Sequence, residues 1–277
     1  MFTFPRGFTW EIMILKLPFL KKPPRVAVIR LAGSIASGTR GSLSDEALAP
    51  LIEKAFRKGK PKAVALILNS PGGSPVQSGL IAARIRRLAD EKKLPVHAFV
   101  EDVAASGGYW LAAAADDIWA DGGSIIGSIG VISAGFGAQE LLERQGIERR
   151  VYTAGKSKST LDPFQKEKPE DVRRLKLLLN DMHALFIEHV KTRRAGKLDE
   201  SADLFTGEFW LAGRALELGL IDGIGHIEPK LKELYGDKVR MIRYGRRKPL
   251  LSRFGAQVVG DGLAALEERA IFARYGL

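Results

Sequence analysis

The sequence predicts an α/β protein, and three observations support this class. Short apolar segments that are predicted to be strands alternate with longer segments whose apolar residues recur at helical spacing. Glycine turns follow several of the strands, so the chain repeats a unit of strand, glycine turn and helix. Residues 63–68 are apolar without interruption, which is typical of a central strand buried on both faces. Strands that alternate with helices pair in parallel through right-handed crossovers.

The elements can be assigned in chain order. Ser44 stands at the N-cap position of the first helix, and Pro75 suits the first turn of the second. The strands are predicted at residues 25–31, 63–68, 96–100, 117–120, 148–153 and 239–243, and the later helices at residues 109–115, 138–145, 169–194, 208–218 and 263–275. The longest helix carries an apolar stripe that is expected to face the core, formed by Leu175, Leu178, Leu179, Met182, Leu185 and Phe186.

Length and composition limit the organisation of the chain. Its 277 residues allow one large or two small domains, and 45% hydrophobic residues are enough for a substantial core. We predict a main domain over residues 25–245, an N-terminal extension over residues 1–24, and a basic segment with an amphipathic helix over residues 246–277. The chain has no cysteine, which excludes disulfides and cysteine-based zinc or redox sites and is compatible with a cytosolic protein.

The net charge of +11 indicates an acidic partner or a solvated basic surface. The basic residues are spread along the chain and are not interleaved with aromatic residues, so no nucleic-acid partner is expected. Residues 8–20 are apolar but are interrupted by Glu11, Lys16 and Pro18, and a bilayer span takes about 20 apolar residues. This extension can lie on an anionic membrane or dock on a neighbouring subunit. We expect a cytoplasmic protein with peripheral contact to the inner face of the cell membrane.

Ser106 is the only serine in the otherwise apolar segment 103–115, and Gly107 and Gly108 follow it directly. It stands where a predicted strand ends and a helix begins. The unpaired N–H groups and partial positive charge of a helix N-terminus stabilise negative charge that develops on a nucleophile. Ser106 is therefore a candidate nucleophile. The same position also suits an ordinary helix N-cap.

Five short motifs occur in the chain in a fixed order. They are Asn69-Ser-Pro-Gly-Gly73, Ala105-Ser-Gly-Gly-Tyr109, Gly127-Ser-Ile-Gly-Val131, Gly155-x-x-Lys158 with Pro163 behind it, and Gly213-Arg-Ala-x-x-x-Gly-Leu-Ile-Asp222. Together they resemble the SppA-type signal peptide peptidases, which are serine peptidases that use a Ser/Lys dyad. The resemblance extends from about Val26 to Ile227.

The resemblance implies a finer fold and a catalytic pair. The fold is the crotonase-like ββα superhelix that is shared with the ATP-dependent caseinolytic protease, whereas periodicity alone supports only an α/β class. Ser106 matches the nucleophile, and Lys158 matches the general base. A serine needs such a base, and a lysine can serve if burial lowers its pKa from about 10.4 toward about 7–8. Lys156 is the local competitor of Lys158.

Histidine is the more usual base for a serine. None of the four histidines lies in a motif that would place it at Ser106, so we predict structural or surface roles for them. They are His97, His183, His189 and His226.

Backbone N–H groups are expected to hold the oxyanion of the tetrahedral intermediate. Gly72 or Gly73 can supply one donor, and Gly107, directly after the nucleophile, the other. A phosphate-binding loop is the rival interpretation of Ser70-Pro-Gly-Gly73, but the Gly-Lys-[Ser/Thr] ending of a Walker A motif is missing. No metal site or cofactor is predicted. The acidic residues near the fourth strand are expected in turns and caps, namely Asp116, Asp117 and Asp121.

In relatives with two fused copies, the lysine comes from one half and the serine from the other. This chain shows no internal repeat and is about one copy long, so we expect a homo-oligomeric ring. In that ring Ser106 of one subunit meets Lys158 of its neighbour. The resemblance implies peptide substrates, namely short apolar peptides such as cleaved signal peptides.

Two other function classes stay open at this point. A crotonase-type acyl-CoA enzyme also uses two backbone donors, but usually with carboxylate bases, and it would bind coenzyme A. A catalytically idle member of the same fold would act as an assembly scaffold and would not react with a serine-directed phosphonate.

Overall fold

A computed structural model describes residues 23–38, 42–155, 157–245, 269 and 272–277. The α/β class is confirmed, because one eight-stranded sheet carries helices on both of its faces. The predicted extension up to residue 22, Lys156 and most of the predicted C-terminal helix lie outside the described residues. Among the described residues, no helix has the length and apolarity that a bilayer crossing requires.

The sheet is parallel except at one edge. Its strands are β1 (Arg25–Ala32), β2 (Ala63–Ser70), β3 (Val96–Ala105), β4 (Asp117–Ala120), β5 (Ile125–Gly127), β6 (Phe209–Leu211), β7 (Gly223–Ile224) and β8 (Arg240–Tyr244). The order is β6-β5-β3-β2-β1-β8, with β4 paired to β3 and β7 to β4. Only β6 runs antiparallel to its neighbour β5. This confirms parallel pairing of the main strands, while the crotonase-like superhelix stays an expectation.

β3 divides the sheet into two branches. Residues 97–100 pair with β4, whereas residues 103–105 pair with β5. The strand is longer than the predicted residues 96–100, because Ala104 and Ala105 continue the ladder past two exposed or half-exposed acidic residues, Glu101 and Asp102. The carboxyl ends of β2, β3 and β5 consequently lie side by side, and Ser106 follows directly on β3.

Seven helices are described: α1 (Asp45–Arg57), α2 (Pro75–Lys92), α3 (Gly107–Ala113), α4 (Gln139–Arg144), α5 (Pro169–Arg193), α6 (Ala212–Glu217) and α7 (Ile227–Tyr235). Ser44 caps α1 as predicted, because its hydroxyl accepts a hydrogen bond from the N–H of Ala47 at 3.4 Å. Pro75 occupies the first turn of α2, also as predicted. The central strand β2 is buried on both faces, with Leu66 in the large core and Ile67 in a smaller one beneath α7.

Two of the predicted elements are wrong. Residues 148–153 form no strand, and within the described part of the chain they are exposed and have no strand to pair with. The helix predicted at residues 208–218 starts only at Ala212, because Phe209 to Leu211 pair with the free edge of β5 as β6. Three residues are too few for strand periodicity to be visible in the sequence.

The apolar stripe of α5 is only partly buried. Phe186 is 3% exposed and Val190 is fully buried, whereas Leu178 and Leu185 are 63% and 60% exposed. Leu177 beside them is also exposed. The prediction that the whole stripe faces the core of the chain is therefore wrong for its outer residues, because in the described chain no element covers them.

Candidate active site

Ser106 lies in a sharp turn between β3 and α3. Its backbone has φ 52° and ψ −123°, and a positive φ is uncommon for a residue with a side chain. Such strain costs about 1–3 kcal/mol and is concentrated at functional sites. The N–H of Ser106 donates to the carbonyl of Gly127 at 2.8 Å, which fixes the turn to the end of β5. The Ser106 hydroxyl makes no N-cap hydrogen bond, so the capping interpretation is wrong.

The glycine turn after β2 packs directly against the serine. A Cβ atom added to Gly72 would lie 2.7 Å from the backbone nitrogen of Gly107 and 2.8 Å from Cβ of Ser106. Gly72 also has φ 99°, a conformation that L side chains rarely adopt. The turn and the start of α3 therefore approach so closely that only glycine fits.

Two backbone N–H groups beside Ser106 lack an acceptor within the described residues. One belongs to Gly107, the first residue of α3, whose N–H has no partner inside the helix. The other belongs to Gly73, which is exposed. The N–H of Gly72, in contrast, donates to the hydroxyl of Ser70 at 3.3 Å. The N–H of Gly107 thus directly follows Ser106, and the N–H of Gly73 belongs to the turn that packs against Ser106.

Lys158 does not belong to this closely packed group around Ser106. It is exposed, and within the described residues its ammonium makes no hydrogen bond or ion pair. It belongs to residues 131–168, which we call the arm. None of the described arm residues is buried. A single chain therefore does not bring Lys158 into contact with Ser106.

The arm exposes many large apolar side chains. Phe136 is 94% and Tyr152 is 90% exposed. The others are Ile132, Leu141, Ile147, Val151, Leu161 and Phe164. Apolar residues concentrated in this way on one exposed segment mark an interaction surface.

The four histidines have structural partners. His97 contacts Asp117 at 2.8 Å and the hydroxyl of Tyr235 at 2.7 Å, and His226 contacts Asp121 at 2.8 Å. His183 reaches the carbonyl of Ile129, and His189 reaches that of Trp110, each at 3.0 Å. Within the described residues none of them contacts Ser106.

The ring of His189 stacks on Trp110 with 4.8 Å between centroids, and Phe186 stacks on the same indole at 4.8 Å. Trp110 lies in α3, four residues after the serine, so this stack fixes α3 against α5. Burial lowers the pKa of His189, with the charge of Arg193 adding to it and the hydrogen bond to Trp110 opposing it. No local signal in the sequence indicates this contact, since the partners are 79 residues apart.

The last of the five motifs has a structural role. Asp222 accepts hydrogen bonds from Arg194 at 2.5 Å, Lys197 at 2.6 Å and the N–H of Ile118 at 2.8 Å. Burial acts to raise the pKa of Asp222, but the hydrogen bonds from Arg194 and Lys197 outweigh it and lower the pKa. This network ties the end of α5 to β4.

The described residues contain no cluster of three His, Asp or Glu that could hold a metal ion. Of the three aspartates near β4, Asp121 serves a turn as predicted, whereas Asp116 and Asp117 pair with other side chains. Asp116 accepts from Arg86 at 2.9 Å, Asp117 from Trp119 at 2.9 Å, and Asp121 from the N–H of Gly123 at 2.9 Å.

Comparison with known proteins identifies relatives over most of the chain. The sequence profile of peptidase family S49 matches residues 88–238. The putative protease slr0021 of Synechocystis is 32% identical over 254 residues, which covers 88% of this chain and 89% of that protein. The putative signal peptide peptidase SppA of Enterococcus faecium is 33% identical over 179 residues, or 64% of this chain and 51% of that protein.

Another relative is longer than this chain, and its name is not that of a peptidase. The Na(+)/H(+) antiporter NhaA of Brucella abortus is 52% identical over 271 residues, which covers 91% of this chain. The match spans only 37% of that protein. The activity in its name is a property of the longer protein and is not transferred to this chain.

Proposed function

The chain belongs to peptidase family S49, and from this premise we propose that it is a serine peptidase with a Ser106/Lys158 dyad. The observation that carries the proposal is the turn at Ser106. It combines a strained backbone and an uncapped hydroxyl with the N–H groups of Gly73 and Gly107, which have no acceptor among the described residues. This is the combination that nucleophilic attack on a carbonyl requires. Membership of a peptidase family favours a peptidase over an acyl-CoA enzyme.

The proposed reaction has two stages. Oγ of Ser106 attacks the carbonyl carbon of the scissile bond while the neutral amine of Lys158 takes the hydroxyl proton. The N–H groups of Gly73 and Gly107 hold the oxyanion, and Gly73 is favoured over Gly72 because the latter already donates to Ser70. The C–N bond then breaks, and the lysine ammonium protonates the leaving amine. Water hydrolyses the resulting acyl-enzyme with the lysine again as base.

We propose that Lys158 comes from a neighbouring copy in a homo-oligomeric ring. Two features support this. Lys158 has no contact with Ser106 in the single chain, and the arm that carries it has an exposed apolar surface without a core of its own. A head-to-tail contact of the arm with the next copy would cover that surface and would close into a ring. It would also desolvate the lysine, which favours the neutral amine.

The proposed substrates are short apolar peptides such as cleaved signal peptides. The name of the Enterococcus relative and the resemblance of the motifs support this choice. Contact with anionic membranes through residues 1–24 is a further proposal, and it places the peptidase next to such substrates. Loss of vesicle co-sedimentation on deleting these residues is the expected result, and unchanged co-sedimentation would contradict it.

Mass spectrometry after fluorophosphonate treatment tests the function. We expect a single adduct on Ser106 and none in Ser106→Ala. The same substitution should leave the fold intact and lower peptide hydrolysis by about 10³-fold or more. An idle scaffold would form no adduct, an acyl-CoA enzyme would bind coenzyme A, and retained hydrolysis in Ser106→Ala would exclude this nucleophile.

A further inference from the structure

Ser70 is a fully buried serine at the end of β2, directly before the turn that holds Gly72 and Gly73. Its hydroxyl donates a hydrogen bond to the carbonyl of Gly33 at 2.7 Å and accepts one from the N–H of Gly72 at 3.3 Å. One hydroxyl therefore joins the segment that follows β1 to the turn that follows β2. The reaction proposed above assigns no role to this side chain.

Residues 33–36 follow β1 and lie beside this turn, and we call them the strap. Two further hydrogen bonds join the strap to the turn through Ile35. The N–H of Ile35 donates to the carbonyl of Gly72 at 2.8 Å, and its carbonyl accepts from the N–H of Ser74 at 2.7 Å. A Cβ atom added to Gly73 would lie 2.1 Å from the carbonyl oxygen of Ile35, so the two segments are in direct contact.

These hydrogen bonds fix the direction of the Gly73 N–H. In a trans peptide the carbonyl and the N–H point in opposite directions. Because the Gly72 carbonyl points at the strap, the Gly73 N–H of the same peptide points away from the strap. This N–H has no acceptor among the described residues. It keeps its direction only while the turn stays bound to the strap.

Ser70 also contacts the start of α3. A Cβ atom added to Gly108 would lie 2.2 Å from the carbonyl oxygen of Ser70 and 3.2 Å from its Cβ atom. Gly107, which carries the second proposed oxyanion donor, directly precedes Gly108. Ser70 therefore lies between the two segments that carry the proposed donors, and it contacts both.

We propose that Ser70 is a positioning residue, whose hydroxyl holds the turn against the strap so that the Gly73 N–H can meet the oxyanion. The inference rests on the proposed peptidase function and adds to it a residue that acts through the backbone. A buried serine that only satisfies backbone groups is the ordinary alternative. The two roles differ in their effect, because misplacing an oxyanion donor weakens transition-state binding and spares the binding of the substrate.

Ser70→Ala in the full chain tests the proposal. We expect kcat for peptide hydrolysis to fall about thirtyfold while KM stays within about twofold, because a donor is misplaced and not removed. Ser70→Cys retains a polar side chain at this position, but a thiol is only a weak donor and a weak acceptor. It should lose about as much kcat as Ser70→Ala.

Ser124→Ala is the matched control. Ser124 is 1% exposed, and its hydroxyl donates to the backbone carbonyls of Val100 and Glu101. Within the described residues it makes no hydrogen bond to the turn or the strap. Its loss should lower the unfolding temperature about as much as that of Ser70, since each removes hydrogen bonds of a buried hydroxyl. We expect kcat of Ser124→Ala to stay within about twofold of the parent.

A peptide aldehyde separates transition-state binding from stability. Oγ of Ser106 forms a bond to the aldehyde carbon, the π bond of the carbonyl breaks, and the hydroxyl proton passes to Lys158, so the adduct carries an oxyanion. The peptide alcohol of the same sequence forms no such adduct. We expect the affinity of Ser70→Ala for the aldehyde to fall about thirtyfold and its affinity for the alcohol to stay unchanged.

Unchanged kcat in Ser70→Ala would overturn the positioning role, as would full activity of Ser70→Cys or equal losses of affinity for the aldehyde and the alcohol. An equal loss of kcat in Ser124→Ala would also overturn it, because reduced stability would then explain the effect. If Ser70→Ala does not fold, Ser70→Cys provides the same comparison.

The parent chain separates this inference from the proposed function. If the parent neither hydrolyses the peptide nor binds the aldehyde, the peptidase function fails and the role of Ser70 fails with it. If the parent does both and the Ser70 variants match it, only the positioning role is wrong.

Discussion

The two halves of the proposed dyad lie in regions of opposite character. Ser106 follows a strand whose last residues are buried, and hydrogen bonds and close glycine contacts fix it to neighbouring strand ends. Lys158 lies on the arm, where no described residue is buried. The chain alone therefore determines the geometry of the nucleophile and the oxyanion donors. In the proposed mechanism, Lys158 would acquire the environment of a base only when another surface covers the arm.

This contrast predicts which properties a substitution in each region should change. Changes near Ser106 affect folding and chemistry together, because the same close packing serves both. Changes on the arm should affect chemistry and assembly while the core keeps its stability.

The largest effect is expected from Lys158→Ala. Without its base the serine is a weak nucleophile, and the rate of peptide hydrolysis should fall by about 10³-fold, as for loss of the serine. The unfolding temperature should not change, since the side chain is exposed and its ammonium makes no hydrogen bond or ion pair with the described residues. Lys166→Ala is the matched control on the same arm and should be mild. An equal loss of hydrolysis rate in Lys158→Ala and Lys166→Ala would contradict the assignment of Lys158 as the general base.

Gly72→Ala should damage both activity and stability. The added Cβ meets the backbone nitrogen of Gly107 at 2.7 Å and stands on a residue with φ 99°. We expect a loss of about 2 kcal/mol in the free energy of unfolding and of about 10²-fold in hydrolysis, because an oxyanion donor is displaced. Gly122→Ala serves as the control, since its Cβ would meet no atom within 4 Å. A stable and fully active Gly72→Ala would contradict the close packing of the two loops.

Phe136→Glu should weaken assembly while sparing the fold. The ring is 94% exposed in the single chain, so its loss removes no core contact. In a ring of copies the charge would lie in an apolar contact, and we expect hydrolysis to fall about tenfold at low protein concentration. Sedimentation and thermal unfolding separate the two effects. An unchanged oligomeric state would show that this part of the arm is not the interface.

The smallest effect is a pH dependence of the core. Burial lowers the pKa of His189 below its ordinary 6.5, so the unfolded chain takes up the proton first as the pH falls. The stabilisation by the neutral ring is complete above about pH 6.5 and is lost as the pH falls from there toward the lower pKa of the folded state. Between pH 7.5 and 5.5, the unfolding temperature of His189→Gln should fall less than that of the parent. Identical slopes would exclude this contribution.

The surroundings of Ser106 could be predicted from the sequence because their signals are local. A strand end, a serine and two glycines are adjacent in the chain, and the structure brings Gly72 and Gly107 together beside Ser106 as expected. The N-cap interpretation failed because Ser106 has a positive φ, which differs from the extended backbone of an ordinary N-cap, and its hydroxyl makes no cap hydrogen bond.

Signals that depend on distant partners were less informative. Residues 148–153 end in Val151, Tyr152 and Thr153, residue types that favour strands, but a strand forms only where another one offers hydrogen bonds. Leu178 and Leu185 of α5 are exposed, although their spacing indicates burial. The spacing does not indicate whether the same chain or another one would cover them. The proposed role of Lys158 depends on a distant partner in the same way, since the single chain does not bring Lys158 into contact with Ser106.

The shared site is the central claim, and mixing two inactive variants tests it most directly. Ser106→Ala retains the lysine and Lys158→Ala retains the serine, so a site at the contact of one with the other is complete. The two variants are refolded together in equal amounts. With random mixing in a ring, about half of the sites receive an intact serine and about half of those also receive an intact lysine, so about a quarter of the sites should work. Hydrolysis near a quarter of the parent rate is the predicted result. Hydrolysis no higher than that of either variant, in assemblies shown to be mixed, would contradict the shared site.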